Sequence, residues 1–298
     1  MEIEDIKSIG VIGAGVMGSG IAQVLARTGY HVVLVDISEE LLKKALEKIE
    51  KGPFGLMRLV EKGKLTEEEV KNIMERIHPT ININEVEDCD FIIEAVPESP
   101  ELKKEIFKKL DSICKEECIF ASNTSSILIT DLASAVERKE KVIGMHWFNP
   151  APVMKLIEVV RGALTSDETY NLTVRLAEKC GKTPVEAKDT PGFFTTRFIL
   201  ILTNEAVRMF ERGIAGIKEI DTMAKLGFGF PMGPFELMDL VGLDTILHIS
   251  NYIYNETGEE IFKPPITLKK LVLSGYIGNK KIKMGSKGGW YDYYKPEK

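Results

Sequence analysis

Six residues near the start, Gly13-Ala14-Gly15-Val16-Met17-Gly18, limit what this chain can fold into more than any other feature. They follow the apolar run 9–12 and open a stretch with helical spacing. A second apolar run, 32–35, then ends at Asp36. A lone GxGxxG says little. Strand before it, helix after it and an acid closing the next strand make it a dinucleotide-binding βαβ unit. Gly13 allows the tight turn, Gly15 lets backbone approach a pyrophosphate, and Gly18 lets helix pack on strand. Val16 and Met17 complete the loop at a helix N-terminus, which favours phosphate charge. Asp36 is expected to accept hydrogen bonds from an adenosine ribose. At ~4 Å and an effective dielectric of ~20, each unit-charge repulsion with a 2′-phosphate costs about 4 kcal/mol. The expected cofactor is therefore NAD(H) rather than NADP(H).

Further apolar runs end in polar residues: 91–93 at Glu94, 119–121 at Ser122 and 142–145 at His146. β-rich runs separated by helical patterns predict parallel strands of an α/β sheet. Ligands of such sheets sit beyond the carboxyl ends of the strands. Between the runs, 38–50 and 56–62 read as a helical hairpin, with Ser38 as N-cap of the first helix. Residues 66–77 read as a helix with a Thr66/Glu69 capping box, and 100–113 as a Lys/Glu-rich surface helix. Past Asp189-Thr190-Pro191-Gly192 the pattern is helical, beginning with a long apolar helix over 193–212. The expected domains are 1–188, dinucleotide-binding with a hairpin insertion at about 38–64, and 189–298, all helical.

Composition excludes other classes. A 298-residue chain that is 44% hydrophobic and 28% charged is expected to be globular rather than disordered. A net charge of −6 argues against nucleic acid as the main partner. Residues 8–26 carry no charge, yet they contain five glycines and follow Glu2, Glu4 and Asp5, so neither a membrane span nor a signal peptide is expected. The four cysteines (Cys89, Cys114, Cys118, Cys180) fit neither a disulfide scaffold nor a zinc site, and no metal is expected. Free thiols suggest the cytoplasm.

Of four histidines, His31 begins a strand, His78 precedes Pro79 in a loop, and His248 lies inside a helical pattern. His146 alone closes a strand at the ligand-bearing end, which makes it the general-base candidate. Glu158 stands in the strand-like run Met154-Lys155-Leu156-Ile157-Glu158-Val159-Val160. A carboxylate on an apolar face needs a partner. From the residues alone, either it pairs with His146 or it closes a sheet edge and meets solvent. Ser125 reads equally as a loop or N-cap serine.

VIGAGVMGSGIAQ at 11–23, EAVPE at 94–98, ASNTSS at 121–126, GMHWFNPAPVMKLIEVV at 144–160, DTPGF at 189–193 and LGFGFPMGPFELMDLVGLD at 226–244 together resemble the short-chain L-3-hydroxyacyl-CoA dehydrogenases, over residues 6–294. The resemblance implies a Rossmann-type domain, a helical C-terminal domain that forms a homodimer, NAD, and an acyl-CoA substrate oxidised at its 3-hydroxyl. It makes His146 the base, Glu158 its partner and Ser125 a donor to the 3-oxygen. Asn149 becomes a positioning residue, Asn123 a neighbour of the nicotinamide ribose, and Glu98 and Lys103 cofactor contacts. Lys51 and Arg58 fall near the hairpin positions that bind CoA phosphates. One departure stands out: Thr196 occupies a place where the family usually carries Asn against the substrate. Two rivals remain, a relative acting on a free hydroxy or sugar acid and a non-catalytic NAD- or CoA-binding protein.

Overall fold

A computed structural model describes residues 2–279 and 285–294. They divide into two units, the first ending at Thr190 and the second beginning at Pro191.

The first unit is built on one sheet. Its strands are β1 (Ser8–Ile12), β2 (His31–Val35), β3 (Ile77–Thr80), β4 (Phe91–Glu94), β5 (Ile119–Ser122), β6 (Val142–Trp147), β7 (Leu156–Arg161) and β8 (Thr183–Lys188). Their order is β3-β2-β1-β4-β5-β6-β7-β8. The first six run parallel, β7 is antiparallel to β6, and β8 is parallel to β7. The central strands are buried and β-branched, as strands covered on both faces must be. The helices are α1 (Val16–Thr28), α2 (Glu39–Lys51), α3 (Met57–Glu61), α4 (Glu67–Met74), α5 (Pro100–Ile113), α6 (Ile129–Ala133) and α7 (Asp167–Lys179).

Three expectations are corrected, and a fourth, the Ser38 N-cap, is met in position only. The helix expected over 66–77 stops at Met74, although its Thr66/Glu69 capping box is present. Ile77 instead begins β3, so His78 lies on a strand, exposed and bonded to Glu85 at 2.7 Å. Ser38 stands at the N-cap of α2 but makes no side-chain capping bond. The long apolar helix starts two residues later than expected, because Gly192 and Phe193 both have positive φ and cannot enter it. A Cβ at Gly192 would also meet Ile253 Cδ1 at 2.4 Å.

That helix is α8 (Thr195–Glu211), followed by α9 (Ile217–Phe228), α10 (Pro234–Val241), α11 (Leu243–Thr257), α12 (Ile266–Leu273) and α13 (Trp290–Tyr293). They enclose a core of Leu200, Val207, Phe235, Met238, Phe262 and Trp290. Gly242, at φ 111°, breaks α10 from α11. Two buried carboxylates clasp the short α13. Asp239 accepts from Trp290 N at 2.8 Å, and Asp221 accepts from the Tyr291 hydroxyl at 2.7 Å.

Candidate active site

The glycine loop shows which glycines the fold needs for itself. Gly13 has φ 102°, and a Cβ there would lie 2.7 Å from the Ala95 carbonyl. A Cβ at Gly18 would sit 1.7 Å from the Gly13 carbonyl. Gly15 differs: its φ is −64°, and a Cβ there would meet nothing within 4 Å. Neither backbone strain nor packing requires a glycine at this point, so the free space belongs to something that approaches the loop from outside. That is the fit a pyrophosphate needs. Val16 is half exposed at the first turn of α1, and Met17 packs partly against the core.

Asp36 closes β2 beside this loop. Its carboxylate accepts from Ala14 N at 2.6 Å and from Ile37 N at 2.7 Å, which fixes it next to the loop. With the carboxylate held there, NADH should give a much higher kcat/KM than NADPH. Equal values in a steady-state comparison would remove Asp36 from cofactor selection.

His146 and Glu158 are directly opposed residues of the antiparallel β6–β7 pair, and so lie on one face of the sheet. His146 Nδ1 is 2.7 Å from Glu158 Oε2, and both residues are buried. The other ring nitrogen, Nε2, is 3.1 Å from Ser125 Oγ. A carboxylate that accepts from Nδ1–H makes Nε2 the ring's proton acceptor. The structure thus decides between the two sequence readings of Glu158: it meets His146, not solvent.

Ser125 stands in the loop after β5, and that loop is wrapped around Glu98. Glu98 Oε1 accepts from Thr124 Oγ1 at 2.6 Å, Ser125 N at 2.9 Å, Ser126 N at 3.1 Å and Ser126 Oγ at 2.9 Å. Burial pushes the Glu98 carboxyl up, but the Lys103 ammonium and these donors outweigh it and hold the group below the usual carboxylate range.

Lys103 lies beneath the loop rather than on its open face. It is 1% exposed, and its ammonium reaches Glu94 Oε1 at 2.7 Å, the Val96 carbonyl at 3.3 Å and Glu98 Oε2 at 3.4 Å. Burial pulls its proton affinity down, yet the two carboxylates more than reverse this. Glu94 also accepts from Val96 N at 2.7 Å and from Ser122 Oγ at 2.6 Å. Sequence reasoning placed Glu94 and Ser122 only at strand ends and passed over Thr124 and Ser126. The available signal was the hydroxyl-rich run 122–126 following a strand that pairs with the one ending in Glu94.

Asn123 ties the ends of β5 and β6 together, its Oδ1 accepting from Trp147 N at 2.8 Å. Asn149 is exposed three residues past His146. Lys51 and Arg58 are exposed on the hairpin, each beside a carboxylate, Glu50 at 3.5 Å and Glu61 at 2.7 Å. Thr196 belongs to the other unit, in the first turn of α8.

The family model for the NAD-binding domain of 3-hydroxyacyl-CoA dehydrogenase matches residues 8–190, and that for the C-terminal domain of the same enzymes matches residues 192–293. The chain belongs to the 3-hydroxyacyl-CoA dehydrogenase family. It is 45% identical to a probable 3-hydroxybutyryl-CoA dehydrogenase of Bacillus subtilis, over 97% of this chain and 98% of that protein. It is 43% identical to the mitochondrial hydroxyacyl-coenzyme A dehydrogenase of Sus scrofa, over 92% and 89%. Among solved structures it is similar to (S)-3-hydroxybutyryl-CoA dehydrogenase from Ralstonia eutropha, with a TM-score of 0.88 and 40% identity over 93% of this chain and 97% of that one. As a member of this family the chain is an NAD-dependent oxidoreductase with a Rossmann-type first unit. Among the described residues no helix is long and apolar enough to cross a membrane.

Proposed function

We propose that this chain catalyses the reversible oxidation of a short L-3-hydroxyacyl-CoA, with His146 as the general acid–base. The observation that carries the reading is the Glu158–His146–Ser125 chain, with links of 2.7 and 3.1 Å. NAD, when bound, supplies the hydride acceptor at its nicotinamide C4. Gly13, Gly15 and Gly18 with Val16 and Met17 would hold its pyrophosphate, and Asp36 its adenosine ribose.

The protein's own part is proton handling and orientation. Nε2 of His146 takes the proton of the 3-hydroxyl as the carbonyl forms. Glu158 offsets the positive charge that develops on the ring. The Ser125 hydroxyl donates to the 3-oxygen, and Glu98 keeps Ser125 in place. Asn123 and Asn149 flank the reacting groups. In the reductive direction the imidazolium returns its proton to the 3-oxygen.

An assay of NADH consumption with acetoacetyl-CoA, with free acetoacetate and with neither tests this reading. Turnover is expected with the thioester alone. Turnover of the free acid would favour a hydroxy-acid dehydrogenase, and none with either would favour a binding protein. Lys51 and Arg58 are proposed for the CoA phosphates, which would have to draw them from Glu50 and Glu61.

The second unit leaves Phe194, Ile214, Leu226, Phe228 and Leu273 more than 60% exposed. So much exposed apolar surface supports a homodimer formed through this unit, and sedimentation at the monomer mass would count against it. The free thiols, three of them buried, support residence in a reducing compartment such as the cytoplasm.

Thr196 gives a milder prediction. If its position touches the substrate near C3, its hydroxyl supplies one hydrogen bond with a shorter reach than an amide. A neutral bond contributes about 0.5–1.5 kcal/mol, and ~1.36 kcal/mol is tenfold in rate. Thr196→Asn should leave kcat/KM for acetoacetyl-CoA unchanged or raise it by up to about tenfold. A large loss would show threonine tuned to another substrate.

A further inference from the structure

A cleft in the first unit, about 430 Å³ in volume, lies apart from the glycine loop. It is lined by the last turn of α1, the segment ahead of β7 and the residues joining α7 to β8. Four cationic side chains surround it, Arg27, Lys155, Lys179 and Lys182, and no carboxylate residue lines it. Among the described residues none of the four forms an ion pair, in a chain whose net charge is −6.

Lys182 is the fixed member. It is 8% exposed, and its ammonium donates to the carbonyls of Ala151 at 2.5 Å and Met154 at 2.7 Å. It also faces the Trp147 ring at 5.5 Å. Burial lowers its proton affinity, the neighbouring Cys180 thiol opposes this, and the charges of Lys155 and Arg27 lower it further. Lys155 donates to the Gly181 carbonyl at 3.4 Å and keeps an exposed head. Arg27 and Lys179 stand in the last turns of α1 and α7, where helix C-termini favour cations. That accounts for these two. Lys182 follows the Gly181 turn that closes α7, its N–H donating to the Ala177 carbonyl at 3.0 Å, and Lys155 reaches the same turn, so the ends of α1 and α7 bring all four cations around one cleft. Like charges gathered in a concave site, with no carboxylate to offset them, call for an anion from outside. A volume of this size accommodates a small nucleotide-type ligand.

We propose that this cleft is a binding site for a phosphorylated anion, a phosphomonoester or pyrophosphate, with Arg27 and Lys155 as its mobile arms and Lys182 as its fixed charge. The phosphate groups could be carried by the nucleotide end of the substrate or by a separate small molecule. The test separates the two and needs no turnover.

Calorimetric titration of the whole protein with inorganic pyrophosphate, at low ionic strength where exposed charges are little screened, should give saturable binding. In an Arg27→Gln/Lys155→Gln variant the affinity should fall at least tenfold. A Lys108→Gln/Lys109→Gln variant, with the same change in net charge on a remote helix, should bind as the wild type does. A titration in the presence of CoA identifies the source: pyrophosphate displaced by CoA means the substrate's own phosphates use the cleft, and additive binding means a separate ligand does. Either result supports the site. No binding by the wild type, or equal losses in the two double variants, would overturn it. The latter would leave only the general field of the protein and its helix termini.

Discussion

His146→Ala should lower kcat for acetoacetyl-CoA reduction by about 10²–10⁴-fold, the usual worth of a positioned acid–base group. That corresponds to roughly 3–5 kcal/mol of transition-state stabilisation. Water is poorly placed to replace the imidazole, because the ring is 6% exposed and stands against Phe148 with centroids 4.5 Å apart. NADH affinity should change little, since the glycine loop and Asp36 are bonded to other groups. Glu158→Gln should lower kcat as well. An amide can donate its N–H to Nδ1, which puts the ring proton on Nε2 and removes the acceptor the reaction needs. Glu158→Gln should keep the wild-type melting temperature within a few degrees, and both variants should keep the wild-type NADH titration. A near-normal kcat in Glu158→Gln would refute the coupling of carboxylate to base, even if His146→Ala were inactive.

The parts of this site that were legible in the sequence are those whose chemistry is local. The glycine loop, Asp36 and the strand-end position of His146 each follow from a run of neighbouring residues. The pairing of His146 with Glu158 is not local. Alternation puts Glu158 on a face with Leu156 and Val160, but only the register of β6 against β7 puts it opposite His146. Two strands went unread because they are edges. In β3, Ile77-His78-Pro79-Thr80, a proline is tolerated where one side of the strand lacks a partner. In β8, Thr183–Lys188, most side chains are exposed and no apolar run forms. The Lys/Glu-rich composition of α5 concealed a functional face. Lys103 reads as one of several surface lysines, yet Phe107 and Leu110 follow it four and seven residues later, and these three are the buried residues of the helix. That spacing, set beside two acids in EAVPE, was the available sign of an inward-facing cation.

The largest stability effect is therefore expected at Lys103, outside the reacting groups. Its ammonium is the one described cation paired with Glu94 or Glu98, and Glu94 is fully buried. Lys103→Met fits the aliphatic stem but leaves both carboxylates without their counter-charge. Removing one partner of a buried pair costs about 3–5 kcal/mol, which for a unit the size of Met1–Thr190 is a fall in melting temperature of roughly 6–20 °C. The pH dependence separates this electrostatic cause from lost packing. In the wild type the Glu98 carboxyl is held below its ordinary value, so its stabilisation is complete above about pH 4.5 and is lost only as pH falls further. The raised Lys103 ammonium stabilises fully below about pH 10.5 and loses that contribution only as pH climbs through its raised value. Between these limits Glu98 and Lys103 give the wild type no dependence on pH. The variant differs, because carboxylates buried without a cation bind protons more tightly when folded than when unfolded. Acidification from pH 8 to pH 5 should then relieve part of its penalty. Thermal melts at the two pH values should show the gap between wild type and Lys103→Met narrowing at pH 5. A gap of the same size at both would mean that Lys103 acts through packing alone, and the charge network beneath the Ser125 loop would lose its assigned part in holding that loop.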